Sequence, residues 1–130
     1  RILKDMGCDA IRTAHNMPST MQMEVCDSMG MMVMAESFDM WLYPKCKNGY
    51  ALHFRDWAER DMTNLVLCHR NHPSIVMWSI GNEIPEQWSV QGRQLSRWLQ
   101  DICHRLDPTR PVTQGMDKAE ASLQILSQIG

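Results

Sequence analysis

The 130-residue sequence has almost no net charge: 13 lysines and arginines stand against 15 aspartates and glutamates, a formal balance of −2. That balance gives no electrostatic attraction to nucleic acid or to an anionic membrane, and neither is expected as a partner. Long apolar runs are also missing, with none approaching the roughly 18 residues that cross a bilayer. The opening residues Arg1-Ile2-Leu3-Lys4-Asp5 lack the apolar core of a secretion signal and leave the compartment unassigned. No glycine-rich loop follows any expected strand, which argues against an open α/β domain that cradles phosphates. The five cysteines, Cys8, Cys26, Cys46, Cys68 and Cys103, are odd in number and show no Cys-x-x-Cys spacing. They read as free thiols packed as small hydrophobes rather than as a zinc site or a disulfide framework. Repeats and low-complexity segments are absent too.

What is present is an alternation of helix and strand. Arg1 to Met6 reads as the tail of a helix stopped by Gly7, and Ala10 to Ala14 as a strand. Ser19-Thr20-Met21-Gln22 is a capping box, opening a helix with Met21, Val25 and Met29 on one face and a stop at Gly30. Met31 to Glu36 is the next strand. Residues Asp39 to Phe54 lack periodicity and contain Pro44, Asn48-Gly49, Trp41, Tyr43 and Tyr50, a long loop of the kind that is often functional. A helix from about Arg55 to His69 turns Ala58, Met62 and Leu65 inward. Between Ser89 and Leu106, residues Leu95, Trp98, Leu99, Ile102 and Leu106 form a broad apolar stripe at helical spacing. Asp107 to Pro111 is a turn, Val112 to Met116 a short strand, and Asp117 a cap for a last helix with Ala119, Leu123 and Leu126. The twelve methionines read as core filler, with Met6, Met29, Met62 and Met77 at positions that the patterns bury. Strands separated by helices imply parallel crossovers, which suit an open doubly wound sheet or part of a barrel equally well.

The most informative stretch is Arg70 to Glu83, RNHPSIVMWSIGNE. A polar turn leads into the apolar run Ile75-Val76-Met77-Trp78, which suits a strand buried on both faces of a parallel sheet. Polar residues return abruptly at its carboxyl end, where α/β folds place their chemistry. Gly-Asn-Glu after a strand is also compatible with an ordinary turn and helix cap.

As a whole the segment resembles the acid/base signature of family 2 glycoside hydrolases, the group of β-galactosidases, β-glucuronidases and β-mannosidases. Two further stretches are similar to the same family: Ala10-Ile11-Arg12-Thr13-Ala14-His15-Asn16 resembles its second-strand motif, and Met31 to Glu36 with Ser37-Phe38-Asp39-Met40-Trp41 its third strand and following loop. The resemblance covers essentially the whole chain. It implies that residues 1–130 are a fragment of a catalytic (β/α)8 TIM barrel, about strands two to five with their helices. Asp9, Met17 and Ala35 depart from the family's usual residues at supporting positions.

Cleaving a glycosidic bond requires a proton donor to the leaving oxygen and a second carboxylate opposite it, about 5 Å away in retaining enzymes. The resemblance implies that Glu83 is this acid/base and that Asn82 bonds the hydroxyl next to the anomeric carbon. It gives Arg12 the task of fixing the nucleophile's carboxylate, the alternative being an arginine paired with a core carboxylate. His15 and Asn16 become ligands of sugar hydroxyls. Glu36 matches a carboxylate that orders the substrate pocket and in some members binds a divalent cation such as magnesium, although no cofactor or metal is expected here. Trp41 is either an aromatic wall for the sugar or a loop anchor on the barrel rim. His72, at the other end of its strand from Glu83, reads as structural. The resemblance places the nucleophile on a seventh strand outside this chain; the candidates at strand ends within it are Glu36, Asp39 and Asp117. The expected function is that of a retaining exo-β-glycosidase, β-galactosidase first, acting on a carbohydrate substrate. A β-glucuronidase or β-mannosidase, or a non-catalytic barrel fragment that binds carbohydrate, are the alternatives. Unpaired barrel edges add an expectation of self-association.

Overall fold

Serine caps and the spacing of apolar residues place the helices, and the strands fall between them. The computed structural model describes residues 1–118. Its elements run α1 (Ile2–Asp5), β1 (Ala10–Arg12), α2 (Thr20–Met29), β2 (Met32–Glu36), α3 (Phe54–His69), β3 (Ile75–Asn82), α4 (Val90–Leu106) and β4 (Val112–Gly115). Short 3-10 turns occupy Tyr50–Leu52 and Pro85–Trp88. Ser19 accepts a hydrogen bond from the Gln22 N–H at 3.1 Å and Ser89 one from the Gly92 N–H at 2.9 Å. Each bond satisfies a donor that a helix start leaves open. The last helix expected from Asp117, with Ala119, Leu123 and Leu126, lies outside the described residues.

The four strands are all parallel and lie in chain order, β1-β2-β3-β4. A doubly wound sheet reverses its order at a switch point. Here the order runs one way, the progression of a (β/α)8 barrel, so the described residues form four strands of a partial barrel with their helices. On the outer face, Val33, Ala35, Ile75, Trp78 and Ile80 pack against Met23 and Cys26 of α2, Ala58, Met62, Leu65 and Val66 of α3, and Leu99 and Ile102 of α4. Burying each valine, leucine, isoleucine or methionine among them contributes on the order of 1.5–3 kcal/mol.

Three expectations about burial are corrected. On β3, Val76 is exposed and Met77 only half-buried, so the strand is not covered on both faces. With Ala10, Met32 and Met34 these two residues line the inner face, which a barrel fills with layers of side chains from all its strands. On α2, Met23 and Cys26 face the core while Met21 and Val25 are exposed. That helix carries apolar residues on both sides, and periodicity alone does not say which side meets the sheet. Met6 is exposed as well, on the turn after α1.

The amino ends of the strands are held by charge. Asp27 accepts from His72 Nδ1 (2.6 Å), the Ser74 N–H (3.0 Å) and Ser74 Oγ (2.5 Å). Arg110 donates to the carbonyls of Ile75, Arg70 and His72 and to Asp107. His72 therefore does structural work far from Glu83. Burial pushes the Asp107 carboxyl up, but hydrogen bonds from Thr109, Arg110 and the Trp78 indole outweigh it and hold the pKa at about 2, against an ordinary 3.8. A carboxylate with a depressed pKa stabilises the fold above its ordinary value, and that contribution is lost as pH falls toward the depressed one. Stability of the wild-type protein is thus expected to drop between about pH 4 and pH 2, and Asp107→Asn to flatten that part of the profile while lowering stability at neutral pH. Chemical-denaturation midpoints measured across this range check both.

Candidate active site

The site is built on a carboxylate with no exposure to solvent. Glu36 ends β2 and is 0% exposed. Its Oε2 accepts from Arg12 Nε at 2.7 Å and Ser79 Oγ at 2.6 Å, and the Arg12 Nη2 lies 2.6 Å away. Its Oε1 lies 2.5 Å from His15 Nδ1, and its main-chain N–H donates to Thr13 Oγ1. Burying a carboxylate costs several kcal/mol unless partners compensate on every side. Here they come from β1, from the turn after β1 and from β3, so the strand ends are drawn to one point. If His15 is neutral and donates from Nδ1, its acceptor is Nε2.

A bulge determines which β3 side chains join this point. Ser79 pairs with Thr113 and Asn82 with Gly115, so that two residues on β3 lie between the pairs against one on β4. Regular alternation would put Ser79 and Asn82 on opposite faces, and the extra residue turns both inward. Asn82 Oδ1 then accepts from Arg12 Nη2 at 2.8 Å, and its Nδ2 donates to Asp39 Oδ1 at 3.2 Å. These two contacts fix the orientation of the amide and leave its second N–H for another acceptor.

Glu83 follows with an exposed side chain and a φ of +44°. Its N–H donates to the Gly115 carbonyl at 2.8 Å. Lys45, from the loop after β2, donates to the Asn82 carbonyl (2.6 Å) and to Asp39 Oδ1 (2.8 Å). Burial pushes the Asp39 carboxyl up, but the bonds from Lys45 and Asn82 and the charge of Lys45 bring it below its ordinary pKa.

The network thus joins Glu36, Arg12, His15 and Asn82, with Glu83 next in the chain, at the carboxyl end of the sheet. Arg12 pairs with Glu36, a carboxylate of the core. Glu36 has no exposed surface, and its oxygens face Arg12, Ser79 and His15. Among the described residues no group of three or more His, Cys, Asp or Glu side chains is placed to hold a metal. Asn16 is exposed and stands apart, in a crevice with Met17, Ser37, Phe38 and Tyr50. The expectation of Trp41 as a wall for a sugar is corrected: its ring is fully buried and Nε1 donates to the Ile80 carbonyl at 2.9 Å, the work of a loop anchor. Asp117 is engaged by Gln87 Nε2 at 2.6 Å. Ser79 and Lys45 escaped the reading of the sequence, as did the bridging position of Asp39. A serine inside a buried apolar strand was a usable signal, because a buried hydroxyl needs a partner. Lys45 lies in an aperiodic loop and gave none.

Comparison with known proteins gives the family. The model of the glycosyl hydrolases family 2, TIM barrel domain, matches residues 1–129. The chain belongs to this family. It is 40% identical to the β-galactosidase BoGH2A of Bacteroides ovatus over 149 aligned residues, which cover 91% of this chain and 18% of that protein. The human β-glucuronidase is 34% identical over 113 residues, covering 86% of this chain and 17% of the relative. Among solved structures, a family 2 member from Bacteroides cellulosilyticus superposes with a TM-score of 0.93 at 39% identity, covering 98% of this chain and 17% of that one. The chain therefore spans less than a fifth of the length of these family 2 relatives.

Gly115 leaves no room for a side chain. A methyl group there would sit 2.7 Å from Arg12 Nη2 and 3.2 Å from Asn82 Oδ1. Gly115→Ala in the full-length protein is expected to push Arg12 off Asn82 and lower kcat/KM at least about tenfold. Thermal melting should shift by only a few degrees, on the order of 1 kcal/mol. Kinetics and a melt on the same preparation check the pair.

Proposed function

We propose that this chain is part of the catalytic barrel of a retaining exo-β-glycosidase that hydrolyses terminal O-glycosidic bonds, with Glu83 as general acid and then general base. The observation that carries the reading is the placement of Glu83: an exposed carboxylic side chain at the carboxyl end of β3, beside an Asn82 amide of fixed orientation. In the first step Glu83 protonates the glycosidic oxygen as the bond to the anomeric carbon breaks, while a second carboxylate attacks that carbon and forms a glycosyl ester. Water then attacks the same carbon, Glu83 takes up its proton, and the ester is displaced. The remaining Asn82 N–H would bond the hydroxyl beside the anomeric carbon, His15 would accept from another hydroxyl, and Asn16, in its separate crevice, would be a further hydroxyl ligand. Arg12, through Glu36 and Asn82, keeps this wall in place.

None of the three strand-end candidates suits the second role. Glu36 is sealed in, Asp39 is bound to Lys45 and Asn82, and Asp117 to Gln87. As the family resemblance implies, the nucleophile would come from a strand outside residues 1–130, and these residues by themselves would be inactive. The open inner face with Met32 and Val76 would favour self-association of the isolated chain. A β-galactoside is the first substrate class, in keeping with the name of the 40%-identical relative. β-Glucuronides are the second, because β-glucuronidases recur among the relatives.

In the full-length protein, Glu83→Gln is expected to lower turnover of an unactivated disaccharide about 10²- to 10⁴-fold. The first step on a dinitrophenyl glycoside, whose leaving group departs without a proton, should lose far less. Steady-state and burst kinetics on the two substrates make the comparison, and wild-type turnover of the disaccharide by the variant would refute the acid role.

A further inference from the structure

The peptide joining Asn82 to Glu83 is gripped on both of its polar atoms. Its N–H donates to the Gly115 carbonyl of β4 at 2.8 Å, and its carbonyl accepts from Lys45 Nζ at 2.6 Å. The orientation of this peptide plane holds Glu83 at φ +44°, a left-handed conformation that L-residues with long side chains seldom adopt. Lys45 also donates to Asp39 Oδ1 at 2.8 Å, and the same Asp39 oxygen accepts from Asn82 Nδ2 at 3.2 Å. The contacts close a ring from the ammonium to Asp39, to the Asn82 side chain, and back through the Asn82 main chain.

The base of Lys45 is anchored as well. The Trp41 indole donates to the Ile80 carbonyl, and the Leu42 and Tyr43 N–H groups donate to Glu86 Oε1 at 2.6 and 3.4 Å. The loop after β2 is thereby pinned to β3 and to the turn just beyond Glu83, and the Lys45 side chain is about three-quarters buried. An ammonium is compact and carries three rotatable donors, which suits it to serving a carbonyl and a carboxylate at once.

We infer that Lys45 is a positioning residue for the acid/base: by holding the Asn82 carbonyl and Asp39 it keeps the Asn82–Glu83 peptide in the orientation that aims the Glu83 carboxyl at the leaving oxygen. This rests on the reading of Glu83 as acid/base. Without the ammonium the carbonyl loses its partner, the peptide plane turns, and Glu83 relaxes toward a negative φ. A carboxyl displaced by an ångström or so no longer meets the glycosidic oxygen.

The test is made in the full-length protein with Lys45→Met, Lys45→Arg and Glu83→Gln side by side. For each variant, kcat/KM is measured on an unactivated disaccharide and on the dinitrophenyl glycoside of the same sugar. Lys45→Met is expected to lose about 10- to 100-fold on the disaccharide and less than about threefold on the dinitrophenyl glycoside, where no proton is needed. Lys45→Arg keeps the charge but not the compact donor, and should show the same split at smaller amplitude; it carries the test alone if Lys45→Met does not fold. Equal losses on both substrates would mean that Lys45 only holds the loop, and no loss on either that it does nothing for the acid; both overturn the inference. If Glu83→Gln itself leaves the disaccharide reaction intact, the acid/base reading fails first. If Glu83→Gln abolishes that reaction and the Lys45 variants show no split, only the role of Lys45 fails.

Discussion

The carboxylate of Glu36 is the interaction on which the site depends. Sealed at the end of β2, it must be met by donors on every side, and the sequence supplies them from three different segments: Arg12 from β1, His15 from the turn beyond it, and Ser79 from β3. A surface pair of the same residues would contribute little. A buried one that loses a partner leaves an uncompensated charge, which is strongly destabilising. The donors are therefore held in a narrow geometry, and Arg12 carries it onward to Asn82 through its Nη2. Rigidity at a point sealed from solvent becomes rigidity at the two residues proposed to meet a substrate.

Beyond Asn82 the backbone is placed at a cost. A left-handed conformation disfavours a residue such as Glu83 by roughly 1–2 kcal/mol, and it persists because Gly115 and Lys45 each bond one side of the preceding peptide. Strain of this kind collects at functional sites, where the surroundings overdetermine it. Packing supports the arrangement from behind: Trp41, buried under Gly81 and bonded to Ile80, and Glu86, which takes the N–H groups of Leu42 and Tyr43, fasten the long loop to β3.

Much of this was legible before any coordinates. Capping serines, the apolar stripe of α4 and the run from Ile75 to Trp78 announce alternating helices and parallel strands. The polar residues at the ends of those strands, Arg12, His15, Glu36, Asn82 and Glu83, can be named from the sequence. Hidden were features that depend on register. The β3 bulge that brings Ser79 and Asn82 to one face leaves no mark in a pattern of period two. The buried position of Trp41 depends on how an aperiodic loop folds back, and so does the reach of Lys45. Met21 and Val25 misled for a different reason: α2 is apolar on two sides, and only tertiary packing selects the one that Met23 and Cys26 occupy.

In the proposed mechanism this end of the sheet holds a glycosidic bond between Glu83 and an opposing carboxylate, with Glu36 setting the frame. Its most direct test is a crystal structure of the full-length protein carrying Glu83→Gln with an intact disaccharide bound. The account predicts the side chain at position 83 within hydrogen-bond distance of the glycosidic oxygen, Asn82 Nδ2 on the neighbouring hydroxyl, and the Glu36 network unchanged. A disaccharide bound elsewhere, or one whose glycosidic oxygen lies beyond the reach of position 83, would contradict it.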